Sequence, residues 1–204
     1  MRRITRDELA GDSLDVARLL LGTVLRAGDV AVRLVEVEAY RGPDDPASHA
    51  YRGRTGRNAI MFGPAGFLYV YFVYGMHFCA NVVCATEGDP TAVLLRAGEV
   101  IDGVETARRR RPTSRNDIEL AKGPARLTAV LGIDRSNNGI DLTDPASPVG
   151  LYAGERVPDE AIRTGPRVGV AVAMDVPWRF WVEGSKAVSA YRRGGKRGTP
   201  AQQG

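Results

Sequence analysis

Phe67-Leu68-Tyr69-Val70-Tyr71-Phe72-Val73-Tyr74-Gly75-Met76-His77-Phe78-Cys79-Ala80-Asn81-Val82-Val83-Cys84 is rich in aromatic and β-branched residues and holds one central glycine. Such residues fit a pleated, half-buried surface, and the glycine supplies the backbone freedom of a tight turn. The stretch predicts a β-hairpin turning at Tyr74-Gly75-Met76. With the turn centred near Met76, Tyr71 and Asn81 fall opposite each other and share a face. A hairpin tip is usually polar; this one carries Tyr74, Met76 and His77, the makings of a wedge. An aromatic plane, an amide and an apolar wedge on one ribbon suit a protein that unstacks a base and holds it.

Upstream, Asp12-Ser13 caps an apolar-striped run, Leu14 to Leu21, that Gly22 stops, which predicts a helix. Thr23–Ala27, Gly28-Asp29 and Val30–Val37 read as strand, turn and strand. Glu36 and Glu38 close the second strand two residues apart, so they point to one face. Two readings fit: an edge strand with a wet face, or a carboxylate at a strand end beside a long loop, where a general base is often found.

That loop, Arg41 to Asn58, is polar and broken by Pro43, Pro46 and three glycines. Loops of this length are functional or disordered. His49 reads as a hydrogen-bonded loop residue or as part of a pocket. Arg52, Arg54 and Arg57 are spaced for phosphate contacts, and equally for a solvated loop.

Downstream, Thr91–Ala97 predicts a strand with Arg96 near its end, facing a carboxylate or a pocket. Glu99–Arg111 predicts a helix with a basic end stopped by Pro112, and Pro124 starts another. Arg167–Val172 and Arg179–Val182 predict late strands. Trp178 and Trp181 read as packing residues rather than a stacking platform. From Gly184 no acidic residue occurs, and arginines and a lysine lie among glycines. The expectation is one domain over residues 1–190 and a basic, disordered tail over 191–204.

A chain of 204 residues with 44% apolar and 25% charged residues can bury one sizeable core. Its net charge of +4 comes almost wholly from arginine, since lysine occurs only at Lys122, Lys186 and Lys196. Codon usage explains that, or a surface that favours phosphates. Cys79 and Cys84 fall on opposite faces of one strand, which disfavours a disulfide. With two histidines and no CxxC pair, a metal site lacks ligands. No signal pattern and no apolar run of about 18 residues is present, so no membrane and a reducing cytoplasm are expected.

Several ordered runs carry a resemblance: Glu36-Val37-Glu38-Ala39-Tyr40-Arg41-Gly42-Pro43-Asp44-Asp45, Ser48-His49, Arg57-Asn58, Met61-Phe62, Gly66 to Met76, Phe78 to Asn81, Val93 to Ala97, Lys122 to Leu127, and Arg167 to Val170. Together they resemble the alkyladenine (3-methyladenine) DNA glycosylases of the mammalian type, which also occur in bacteria. Similarity runs from about Leu9 to about Val188.

The resemblance implies an α+β domain: a curved, mostly antiparallel sheet surrounded by helices, with a protruding hairpin. It implies that Glu38 activates the attacking water and Arg96 lies near base and water. Tyr40, His49 and Tyr71 would stack on the flipped base, and Asn81 would screen out guanine. Tyr74 would fill the gap in the duplex, beside Met76 and His77; at His77 the mammalian pattern has tyrosine. The implied activity is monofunctional excision of 3-methyladenine, 7-methylguanine or hypoxanthine from double-stranded DNA. It would need no cofactor or metal and would be carried out by a monomer in the cytoplasm at the bacterial nucleoid. The alternative is a non-catalytic nucleic-acid-binding or tRNA-binding domain of related fold. Such a binder has no need of Glu38, Tyr71, Tyr74, Asn81 and Arg96 together.

Overall fold

The computed structural model of the chain describes residues 1–73 and 75–195. In chain order the regular elements are α1 (Arg6–Leu9), α2 (Ser13–Leu20), β1 (Val24–Ala27), β2 (Val30–Tyr40), β3 (Leu68–Val73), β4 (His77–Cys84), β5 (Thr91–Asp102), α3 (Val104–Arg110), α4 (Pro124–Leu131), β6 (Val149–Tyr152), β7 (Ile162–Gly165) and β8 (Arg179–Val182). Among the described residues, β1 to β8 form one antiparallel sheet, mixed with helices in a single α+β domain.

The sheet runs β3-β4-β5-β2-β1-β6, with β8 pairing both β2 and β7. β2 is its spine. One edge pairs with β5; the other pairs first with β1 and then, from Glu36, with β8. Helices α1, α2, α3 and α4 each contribute to one core beneath this sheet, through Leu9, Val16, Ala17, Leu20, Ala107, Leu127, Val130 and Leu131. Asp12 caps α2 by accepting the Leu14 N–H at 2.8 Å, a contribution of about 1 kcal/mol. Alternate residues of the hairpin serve two faces, as a period of two demands. Leu68, Val70, Ala80, Val82 and Cys84 face the helices; Tyr69, Tyr71 and Val83 face a second cluster under the 41–63 loop.

β2 changes phase midway. Val30, Val32 and Leu34 enter the helix-side core, then Val37 and Ala39 do. The β2–β5 register accounts for this. Leu34 pairs with Gly98 but Glu36 with Ala97, so Val35 is an extra residue in β2. Val37 then pairs with Leu95, so Arg96 is an extra residue in β5. These two bulges cancel, and each re-aims side chains locally. Without the first, Glu36 and Glu38 would face the apolar core.

Several expectations are corrected. Residues 99–102 continue β5, where Glu99 pairs with Arg33, and the helix begins only at Val104. Gly103 makes the corner with a φ of 68° and packs so close to the Asp29 carbonyl that no Cβ would fit. Residues 167–172 form no strand, because their backbone donors go elsewhere. The Val168 N–H binds Glu38, and the Gly169 N–H binds the Arg192 carbonyl. β6 and β7 were not anticipated. The hairpin centres on Gly75 rather than Met76, so Tyr71 pairs with Cys79 and Asn81 with Tyr69. Tyr71 and Asn81 still share a face. Of the expected basic tail, residues 191–195 are described, and Arg192 is tied to Gly169; the rest lies outside the described residues, as does Tyr74. Among the described residues no helix is long and apolar enough to cross a membrane.

Candidate active site

Tyr40, His49, Arg57, Tyr71, Asn81 and Arg96 line one cavity of about 500 Å³, together with Tyr69, Cys79, Leu94 and residues 168–172. The sequence expectations for these six thus converge on one place. Glu38 does not line the cavity; it lies wholly buried just behind the wall. Its three partners all belong to that wall. Oε1 accepts the Val168 N–H at 2.7 Å, and Oε2 accepts the Tyr40 hydroxyl at 3.0 Å. A guanidinium nitrogen of Arg96 stands 3.3 Å from Oε2. Burial raises the Glu38 carboxyl above its ordinary range, against the opposing pull of Arg96, the Val168 amide and Tyr40. A carboxyl poised this way is a stronger base, when ionised, than one in water.

Glu36 is also wholly buried, which rules out a wet edge for this end of β2. It gathers four donors: Arg96 Nε at 2.8 Å, Arg179 Nε at 2.8 Å, the Ser189 hydroxyl at 2.8 Å and the Ser189 N–H at 2.6 Å. Two carboxylates and two guanidiniums thus share one buried cluster, in which each charge has an opposite neighbour. Burial pulls the Arg96 guanidinium down, and the charges of Glu38 and Glu36 outweigh it, leaving the group firmly cationic.

The aromatic walls are held as firmly. The Tyr69 and Tyr71 rings stack at 5.4 Å with an interplanar angle of 28°, and His49 meets Tyr71 edge-on at 4.5 Å. His49 Nδ1 lies 3.1 Å from the Tyr69 hydroxyl. His49 stands at the open mouth, yet partial burial and the nearby Arg57 charge hold it below the usual imidazole range. Burial drives the Tyr40 and Tyr71 hydroxyls well above theirs, so both stay neutral donors. Asn81 donates Nδ2–H to the Tyr69 carbonyl at 3.1 Å, which fixes its amide against the hairpin backbone.

Asn58 explains how a long loop can place His49 and Arg57. Its side-chain amide donates to the His49 carbonyl at 2.8 Å and to the Gly53 carbonyl at 3.1 Å. Its oxygen accepts the Thr55 N–H and hydroxyl. Arg57 reaches over the Tyr71 ring at 5.7 Å. Arg52 and Arg54 are exposed on the same loop and do not line the cavity. Nor do Met76 and His77, which stand exposed at the hairpin tip. Cys79 is in the cavity wall and Cys84 in the helix-side core, both free, so they do fall on opposite faces. Burial pushes the Cys79 thiol up to about 11, which keeps it protonated and inert.

Sequence reasoning missed one buried pair. Arg167 donates to both oxygens of Asp45, at 2.5 and 2.8 Å, with both side chains fully enclosed. Its guanidinium lies over the rings of Tyr40 at 4.6 Å and Trp178 at 5.1 Å. Trp178 is therefore packing, as expected, but packing that clamps the loop bearing Val168. Asp44 and Asp45 stand side by side in a polar loop, and nothing local in the sequence marks Asp45 as the buried member. Among the described residues no group of three or more His, Cys, Asp or Glu is placed to hold a metal.

Comparison with known proteins gives the family of the chain. A profile described as methylpurine-DNA glycosylase matches residues 7–186. A relative from Nocardia farcinica, named for 3-methyladenine DNA glycosylase, is 54% identical over 95% of this chain and 93% of its own. One from Streptomyces avermitilis with the same name is 54% identical over 93% and 92%. One from Mycobacterium tuberculosis, again so named, is 50% identical over 92% and 93%. The matched span holds the hairpin, Glu38, Arg96 and the aromatic cavity, and the chain belongs to the methylpurine-DNA glycosylase family.

Proposed function

We propose that this chain flips 3-methyladenine, 7-methylguanine or hypoxanthine out of duplex DNA and hydrolyses the N-glycosidic bond. One observation carries the reading: a buried, ionisable Glu38 whose every partner faces an aromatic cavity of about 500 Å³. That volume is in the range of small-molecule sites.

Alkylation at N3 or N7 makes a purine cationic and a good leaving group. Tyr40 and Tyr71 favour such a cation by presenting ring faces. A water admitted to Glu38 through the wall of Tyr40, Arg96 and Val168 would lose its proton to Glu38 as its oxygen bonds C1′. The C1′–N bond breaks and its electron pair leaves with the base. The carboxylate also opposes the positive charge developing on the sugar. Hypoxanthine leaves as an anion unless protonated, so its release needs an added proton. No lysine lines the cavity among the described residues, which favours an abasic site as the end product.

Met76 is 71% exposed at the hairpin tip, an apolar side chain in water that a separated base step would bury. Tyr74, by its place in the sequence, would fill the vacated space with it, and His77 would lie alongside. Arg52, Arg54 and Arg57 would hold phosphates. The chain would act as a monomer on the DNA of a bacterial nucleoid.

Oligonucleotides bearing one hypoxanthine or one 7-methylguanine test this. The wild type should give strands that break only after hot alkali. Glu38→Gln should lose base release by about a hundredfold or more while still binding the lesion. Intact strands from every substrate, breakage without alkali, or a Glu38→Gln rate within about threefold of wild type would overturn the reading.

A further inference from the structure

Arg96 is held on three sides. Its Nε donates to Glu36 at 2.8 Å, one terminal nitrogen lies 3.3 Å from Glu38, and the other donates to the Ser189 hydroxyl at 3.3 Å. Ser189 lies beyond the span that matches the family, residues 7–186. Its backbone is committed as well: its N–H binds Glu36 and its carbonyl accepts Arg179 at 2.8 Å. The same short segment then reaches the loop behind Glu38. The Arg192 carbonyl accepts the Gly169 N–H at 2.9 Å, and Gly194 packs so tightly on the Val170 carbonyl that a Cβ would come within 1.8 Å of it. Residues 189–194 thus touch the Glu36 side of the cluster directly and the Glu38 side through 168–170.

We propose that Glu36 and Ser189 are positioning residues that hold Arg96 back from Glu38, so that Glu38 keeps its basicity and Arg96 keeps its orientation toward the cavity. This deepens the function proposed above and rests on it. The argument is one of competing acceptors. A guanidinium offers five donors in a fixed plane and pairs bidentately with a carboxylate when free to do so. Here Glu36 takes Nε at 2.8 Å and Ser189 takes one terminal nitrogen at 3.3 Å, leaving Glu38 a single contact, also at 3.3 Å, rather than a bidentate pair. Besides Arg96 from β5, Glu38 faces these charged or titratable groups: Tyr40 and Glu36 from β2, Tyr71 from β3, Cys79 from β4 and Arg167 from the loop after β7. Of these, Arg96 is the cation in salt-bridge reach. Releasing one of its donors lets it close on Glu38 and lower that carboxyl's affinity for a proton.

The mild perturbation is Ser189→Ala, which removes the hydroxyl and keeps both backbone bonds. The single-turnover excision rate on the hypoxanthine oligonucleotide should fall about tenfold or more, with DNA affinity and Tm unchanged. The acid limb of the rate should move to lower pH, and Ser189→Thr should restore both rate and limb. In parallel, the carbon-13 carboxyl signal of Glu38 should titrate at lower pH in Ser189→Ala than in wild type, a readout that needs no turnover. An unchanged rate and an unchanged titration would overturn the proposal, as would a rate loss explained by Tm with no movement of the titration. A wild type that releases no base, but whose Glu38 titration still moves with Ser189, would sink the proposed function and leave the positioning role standing.

Discussion

Asp45→Ala isolates the clamp behind the cavity. The substitution removes both oxygens that Arg167 grips and the acceptor of two amides, the Ala47 N–H at 3.0 Å and the Arg41 N–H at 3.3 Å. Arg167 would keep only the Ala39 carbonyl at 3.1 Å and the faces of Tyr40 and Trp178. An orphaned buried charge of this kind costs about 3–5 kcal/mol, and the two part-buried amides about 1 more between them. For 204 residues, an unfolding entropy near 2.1 cal/mol/K per residue turns that into a Tm drop of about 9–14 °C. Urea denaturation gives the free energy directly, with Trp178 fluorescence as a reporter beside the guanidinium. The double variant Asp45→Ala/Arg167→Met should recover much of the loss, because no charge is then left alone. A cost below about 1 kcal/mol, the scale of an exposed ion pair, would refute the burial argument. A double variant no better than Asp45→Ala would refute the orphaned charge as its cause.

Because burial holds the Glu38 carboxyl above its ordinary range, the excision rate should rise with pH through a midpoint above that of an exposed glutamate, about 4.3; a midpoint at or below that value would contradict it. The stability sign follows: the folded state holds this proton more tightly than the unfolded chain. The group's contribution is therefore full below the unfolded pKa and lost as pH rises through the folded one. Asn81→Ser should raise the ratio of guanine to hypoxanthine release by about ten- to a hundredfold, if the amide pinned to the Tyr69 carbonyl is what would exclude the 2-amino group, at a cost of roughly 1–3 kcal/mol; an unchanged ratio places the exclusion elsewhere. Substituting Arg52, Arg54 or Arg57 by Ala should each flatten the log–log salt dependence of DNA binding by about one unit, and an unchanged slope would make that arginine a solvated loop residue.

The sequence made the strands legible where two signals agreed. The hairpin declared itself by aromatic and β-branched residues around Gly75, and α2 by its Asp12 cap and apolar stripe. Boundaries failed where one signal stood alone. A basic run at Arg108–Arg111 suggested a helix reaching back to Glu99, though residues 99–102 were still paired with β2. The Val-rich run after Arg167 looked like a strand because composition cannot show where amide donors go. The phase jump in β2 was present in the sequence, as apolar residues at 30, 32 and 34 and then at 37 and 39, and it is the signature of a bulge. Glu36, Glu38 and Arg96 could be named singly. Their joint dependence on Ser189 and Arg179 could not, because those residues lie more than 140 positions from Glu36 in the chain.

The paired bulges also bear on how the chain finds its fold. β2 and β5 are long, apolar and separated by the whole hairpin, so their pairing forms across a large loop and admits slipped alignments. Loss of the β2 bulge would turn Glu36 and Glu38 toward the core that holds Val16, Leu20 and Leu127, and loss of the β5 bulge would take Arg96 out of phase with them. Burying two unpaired carboxylates there costs far more than any mismatch among valines and leucines. The charged cluster therefore works as a key for strand alignment during folding. A chain that has closed its central sheet in the native register has, by that step, brought Glu36, Glu38 and Arg96 together.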